Sequence, residues 1–130
     1  MQEGIDFDDM EHFAYQILTA ENNLAAKRYQ ERFDEIMVDE FQDSNDLQNA
    51  IINLISRGAN VFRVGDVKQS IYRFRGGKPQ IMRDLMNDVR PENCFIHLSS
   101  NYRSKQMIVD FNNDLFLRLM NIPGCSDQYT

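Results

Sequence analysis

Three short apolar runs constrain this chain most: Ile36-Met37-Val38, Val61-Phe62-Arg63-Val64 and Cys94-Phe95-Ile96-His97-Leu98. Each is too brief for a helix and rich in strand-forming residues, so each is expected to be a buried strand. Between them the apolar period changes to that of helices. Positions 5, 7, 10, 13, 14, 17 and 18 predict a helix from Ile5 to Ala20 with Asp6 capping its start. Leu24 to Phe33 continues the pattern, and a further helix runs from about Leu47 until Gly58 stops it. Gly76-Gly77 marks a turn before a helix from Pro79 to about Val89, where proline suits a first turn. Ser104 can cap a last helix to Met120, with Ile108, Val109, Phe111, Leu115, Phe116 and Leu119 on its buried side. Strands alternating with helices predict an α/β fold in three layers, a parallel sheet flanked by helices. Ligands of such sheets bind beyond the carboxyl ends of the strands.

At 130 residues the chain is read as one domain. No apolar run approaches the roughly 20 residues that span a bilayer, so a membrane partner is not expected. The opening Met1 to Asp6 lacks the basic and apolar segments of a secretory signal, which makes a cytoplasmic location the expectation. Cys94 and Cys125 are far apart and have no zinc-like spacing, and His12 and His97 are isolated. The net charge of -6 argues against a nucleic-acid partner until its distribution is examined. Residues 1–46 hold 13 acidic and 3 basic side chains, whereas residues 57–105 hold 4 acidic and 10 basic ones. The basic region sets Tyr72 and Phe74 among Arg73, Arg75 and Lys78, the composition of a strand-binding surface. A solvated charged face has the same composition.

The polar clusters fall where the strands end. Asp39-Glu40-Phe41-Gln42-Asp43 follows the first run and places two carboxylates at the exit of a buried strand. In P-loop nucleotide hydrolases a carboxylate there holds magnesium and a neighbouring acid orients the attacking water. An acidic helix-capping turn has the same local sequence. Gly65-Asp66-Val67-Lys68-Gln69-Ser70-Ile71-Tyr72 follows the second run, and Ser99-Ser100-Asn101-Tyr102-Arg103-Ser104 the third.

In this order and spacing the three blocks resemble motifs II, III and IV of superfamily 1A DNA helicases, the group of UvrD, Rep and PcrA together with AddA and RecB. Ile5-Asp6-Phe7-Asp8-Asp9-Met10 is similar to the acidic-aromatic motif Ic, although Asp8 and Asp9 also suit the first turn of a helix. Val67 to Arg75 looks more like the AddA branch of helicase-nucleases than like UvrD, and Gly76-Gly77 departs from the usual AddA pattern. The resemblance implies a partial RecA-like (P-loop NTPase) motor domain that uses ATP and Mg2+. It assigns metal binding to Asp39 and Glu40, water activation to Glu40, and sensing of the γ-phosphate to Gln69. Arg103 would reach the γ-phosphate and Tyr102 would lie near the adenine. Tyr72 and Phe74 would stack on bases of single-stranded DNA, with Arg75 on a phosphate, unless the two rings are core aromatics. The implied partners are DNA, single-stranded or at duplex ends, and an AddB-like subunit.

No Gly-x-x-x-x-Gly-Lys-Ser/Thr occurs in the sequence, so the loop that cradles phosphates is absent from it. Residues 1–130 are therefore read as the latter half of a first motor domain, inactive alone and part of a larger helicase. The alternatives are a UvrD/PcrA-like repair helicase and a catalytically dead DNA-binding or interaction module.

Overall fold

The computed structural model describes residues 4–72, 74, 76–88, 90, 91 and 93–121. The chain divides into two compact units, Met1–Asn93 and Cys94–Thr130. In the first, helices α1 (Phe7–Thr19) and α2 (Leu24–Arg32) precede strand β1 (Ile36–Val38). Helix α3 (Asp46–Ile55), strand β2 (Val61–Arg63) and helix α4 (Pro79–Met86) follow. The second unit carries helix α5 (Gln106–Met120).

The helix starts are written in the sequence. Asp6 caps α1 by accepting from the Asp9 amide at 2.8 Å, while the Asp9 carboxylate accepts from the Asp6 amide at 3.2 Å. Asp8 and Asp9 therefore serve the first turn, where carboxylates meet the positive end of the helix dipole. Asn45 and Gln48 form the same reciprocal cap on α3. Glu11 of α1 reaches this cap and accepts from Asn45 Nδ2 at 3.1 Å and Gln48 Nε2 at 2.6 Å. Helices α1, α2 and α3 contact one another, and Leu18 and Ala26 are buried. Pro79 opens α4, where its missing N–H costs no intrahelical bond. His12 bonds the Asp8 carbonyl within α1 at 2.8 Å, so it is occupied locally.

β1 and β2 pair in parallel, in register Ile36 to Val61, Met37 to Phe62 and Val38 to Arg63. The Val64 amide donates to the Val38 carbonyl at 2.8 Å, and the Phe41 amide to the Val64 carbonyl at 2.9 Å. The ladder thus continues past the strands and ties their exits together. Side chains alternate: Ile36, Val38, Val61 and Arg63 are half-buried, whereas Met37 is 72% and Phe62 56% exposed. One face of the sheet is covered and the other is open.

Two expectations fail in the second unit. The run Cys94 to Leu98 carries no regular secondary structure, and the sheet among the described residues has two strands. A strand exists only through a neighbour's amides and carbonyls, and here Phe95, Ile96 and Leu98 are 59%, 66% and 79% exposed. The start of α5 is also not capped by Ser104. Lys105 occupies the cap position without a side-chain bond, and the Ser104 amide instead donates to Asn101 Oδ1 at 3.0 Å. Its apolar positions are not a buried side either: Ile108, Phe111, Leu115, Phe116 and Leu119 are exposed and Val109 is half-buried. No helix among the described residues is long and apolar enough to cross a membrane.

Candidate functional site

Both β-strands of the parallel pair end at the same edge of the sheet, so the loops that follow them are neighbours. The first loop, Asp39 to Ser44, is dense. Phe41 and Gln42 are each 1% exposed and Ser44 is 8% exposed. The Arg63 guanidinium lies 5.2 Å from the centroid of the Phe41 ring and bonds Asn53 Oδ1 through Nη2 at 2.9 Å. Burial lowers the pKa of Arg63.

This burial sets the backbone of Glu40. Its φ of 50° and ψ of 38° lie in the left-handed region. The other described non-glycine residues with positive φ are Asn22 and Asn23, of a type that tolerates it. A glutamate there costs about 1 to 3 kcal/mol and persists only where its surroundings enforce it. Three bonds do so. The Glu40 amide donates to Asp39 Oδ1 at 2.9 Å, its carbonyl accepts from the Asp43 amide at 3.0 Å, and its Oε2 accepts from Gln42 Nε2 at 2.7 Å. Asp39 and Glu40 are exposed, and with Asp43, Ser44 and Gln48 they line a cleft of about 430 Å³. Asp43 Oδ1 is buried at this cleft without a hydrogen-bond partner.

The second loop starts at Gly65 and Asp66. The Asp66 amide donates to Gln42 Oε1 at 3.0 Å, and Ser70 Oγ donates to the Gln42 carbonyl at 3.3 Å. Asp66 accepts from the Lys68 amide at 3.0 Å and from Gln69 Nε2 at 3.1 Å, and its carboxylate lies 3.2 Å from Lys68 Nζ. Partial burial pushes the Asp66 pKa up, but the hydrogen bonds from Gln69 and Lys68 and the Lys68 charge outweigh it and hold the pKa below its usual value. Beyond Gln69 the loop opens. The Tyr72 and Phe74 rings lie 5.8 Å apart, tilted by 45°, with Phe74 77% exposed. That exposure excludes a core role for Phe74 within this unit. Arg75 lies outside the described residues.

The structure thus brings Asp39, Glu40 and Gln69 into one bonded network and places the aromatic pair a few residues further along the second loop. Tyr102 and Arg103 belong to the second unit, both exposed, with the Arg103 amide donating to Asn101 Oδ1 at 3.0 Å. Sequence reasoning passed over Gln42, the residue that joins the loops. Its one signal was a neutral amide within a run of acids, which does not distinguish a buried strut from a solvated side chain.

Residues 1–90 match the model of the UvrD/REP helicase N-terminal domain. The chain belongs to the UvrD/REP helicase family. Within that class it is 45% identical to the AddA-type ATP-dependent helicase/nuclease protein of Clostridium kluyveri, in an alignment covering 89% of this chain and 10% of that protein. The corresponding helicase/nuclease proteins of Acetivibrio thermocellus and Streptococcus uberis are each 43% identical, over 97% and 92% of this chain and 11% and 10% of theirs. The chain spans about a tenth of the length of the curated relatives it matches. The AddA-like reading of the sequence agrees with these relatives. The family match ends at residue 90, short of the Tyr102-Arg103 block.

Proposed function

We propose that this chain is the latter half of the first RecA-like motor domain of an AddA-like helicase/nuclease, in which ATP hydrolysis drives movement along single-stranded DNA and unwinding from duplex ends during double-strand break repair. Its motifs are read as Ic at residues 5–10, II at 39–43, III at 65–75 and IV at 98–104. The parent works in the cytoplasm with an AddB-like partner. The observation that carries this reading is the strained Glu40 carboxylate, held by Gln42 at 2.7 Å over a cleft shared with Asp39 and Asp43. Backbone strain of this kind is retained where a side chain must be aimed.

ATP enters with its phosphates toward the strand exits, and the Gly-rich cradle for them comes from outside residues 1–130. Among the described residues no cluster of three or more carboxylate, histidine or cysteine side chains can hold a metal ion. That suits Mg2+, which takes one or two carboxylates and completes its shell with phosphates and water. Asp39 and Glu40 would hold it, with the unpartnered Asp43 Oδ1 behind them, and the ion would neutralise phosphate charge. Glu40 orients the attacking water and accepts its proton. Gln69 meets the γ-phosphate with a neutral amide that needs no counter-charge. Arg103 stabilises charge on the transferred phosphoryl group, and Tyr102 lies against the adenine.

Movement on DNA must not depend on sequence, so stacking and backbone charge suit it and base-edge readout does not. The Tyr72 and Phe74 rings supply the stacking, with Arg75 on a phosphate. Gln69 is three residues before Tyr72, which lets nucleotide state act on the rings through one loop.

The test is Glu40→Gln in the full-length protein. Nucleotide binding should stay within about twofold while DNA-stimulated ATP turnover falls by about 100-fold or more, because water activation belongs to the reaction and not to binding. Equal loss of binding and turnover contradicts the role of Glu40.

A further inference from the structure

Gln42 is built in a way that the proposed chemistry leaves unused. It is 1% exposed, and both ends of its amide are engaged in opposite directions. Nε2 donates to Glu40 Oε2 at 2.7 Å and lies 3.5 Å from Asp43 Oδ2, while Oε1 accepts from the Asp66 amide at 3.0 Å. Its backbone carbonyl accepts from Ser70 Oγ at 3.3 Å. Asp66 in turn accepts from Gln69 Nε2 at 3.1 Å. A continuous bonded path therefore runs from the Glu40 carboxylate through the Gln42 amide and Asp66 to the Gln69 amide.

The amide has no room to move. A Cβ placed on Gly65 would collide with Gln42 Oε1, and would meet Met82 Sδ at 3.0 Å and the Gln42 backbone nitrogen at 3.1 Å. Gly65 is therefore a glycine so that the amide can lie against the backbone at the end of β2. No other side chain fits both bonds. Glutamate would set a carboxylate against Glu40 and Asp43 and against no donor but the Asp66 amide. Methionine fills the space without donor or acceptor, and asparagine is one methylene too short to reach both loops.

We infer that Gln42 is the positioning residue that aims the Glu40 carboxylate and makes its aim depend on the loop carrying Gln69. When that loop shifts at the γ-phosphate, the Asp66 amide shifts with it, the Gln42 amide follows, and the Glu40 carboxylate turns. Without the amide the Glu40 side chain loses its one side-chain tether while Asp39 and the backbone stay in place. The inference rests on Glu40 being the water-activating group.

The experiment uses the full-length protein with Gln42→Met, Gln42→Glu, Glu40→Gln and the double variant Glu40→Gln/Gln42→Met, measuring ATP affinity, KM and kcat in saturating single-stranded DNA. Both Gln42 variants should lower kcat by about 10-fold or more with KM and ATP affinity within about twofold, as expected for loss of a hydrogen bond to a charged group that counts only in the reaction. In the Glu40→Gln background Gln42→Met should have no further effect, because there is no carboxylate left to aim. If Glu40→Gln itself keeps full turnover, the reading of Glu40 fails. If Glu40→Gln abolishes turnover but Gln42→Met leaves kcat unchanged, or lowers kcat equally in both backgrounds, or loses ATP affinity in step with kcat, Gln42 is only a packing residue and the inference is overturned.

Discussion

The two loops that leave the sheet are built in opposite ways. The loop after β1 turns inward: Phe41 and Gln42 are sealed, and the backbone of Glu40 is forced into the left-handed region. The loop after β2 is held at its root through Asp66 and then turns outward, leaving Ile71 70% and Phe74 77% exposed. Fixing an attacking water needs a carboxylate that does not wander, and gripping a polymer that slides past needs rings that stay accessible. The difference teaches that one edge of a sheet can carry a rigid chemical element and an open contact element because a single buried amide joins them at their roots.

That contrast can be broken from the inward side first. Phe41→Ala should remove about 3 to 5 kcal/mol from the local stability of this edge, the cost of emptying a sealed aromatic site. Hydrogen exchange at the Phe41 and Asp66 amides in the full-length protein is the measurement. Unchanged protection would mean that the inward loop is not the rigid one.

The outward side should respond in another currency. Phe74→Ala and Tyr72→Ala should each weaken single-stranded DNA binding by about 1 to 3 kcal/mol, with little dependence on base sequence. Exchange protection at the Phe41 amide should stay the same. A DNA titration showing native affinity would make the ring pair scaffold.

A smaller effect, opposite in sign, is expected at Glu40. Glu40→Gly should raise protection of the neighbouring amides by roughly 0.5 to 1 kcal/mol, since glycine accepts positive φ without strain, while ATP turnover collapses. Lower protection would show that the Gln42 bond outweighs the strain.

The smallest effect is at Asp66. Its folded pKa is depressed, so its contribution is complete above the unfolded value of 3.8 and is lost as pH falls through the lower folded value. A carboxyl titration followed by NMR should give a midpoint below 3.8, and Asp66→Asn should remove this low-pH step from the stability of the loop. The step is small because the carboxylate is partly open to water, which screens it.

Much of this was legible in sequence wherever the cause is local. The bounds of β1, the cap at Asp6 and the proline that opens α4 follow from composition and spacing alone. The placement of Asp39, Glu40 and Gln69 at strand exits followed once the alternation of elements was read. What escaped depends on a partner. Cys94 to Leu98 has the composition of a strand, yet a ladder needs a second backbone. The apolar stripe of α5 has the right period, yet periodicity names a face and not its cover. Gln42 escaped because a buried strut and a solvated amide share one letter, and only the 1% exposure with bonds to Glu40 and Asp66 separates them.

The parallel pairing of β1 and β2 has a kinetic consequence. Parallel neighbours cannot be joined by a tight turn, so the chain must traverse α3 and return before Ile36 meets Val61. Closing that excursion costs loop entropy before any ladder bond repays it. The Asp39–Glu40 carboxylates and the Asp66–Gln69 root therefore become neighbours late, when α3 is already wound, and a partly folded chain carries both sequences without a site. Nucleotide chemistry at this edge is switched on by completion of the crossover, which protects an emerging chain from premature engagement with ATP.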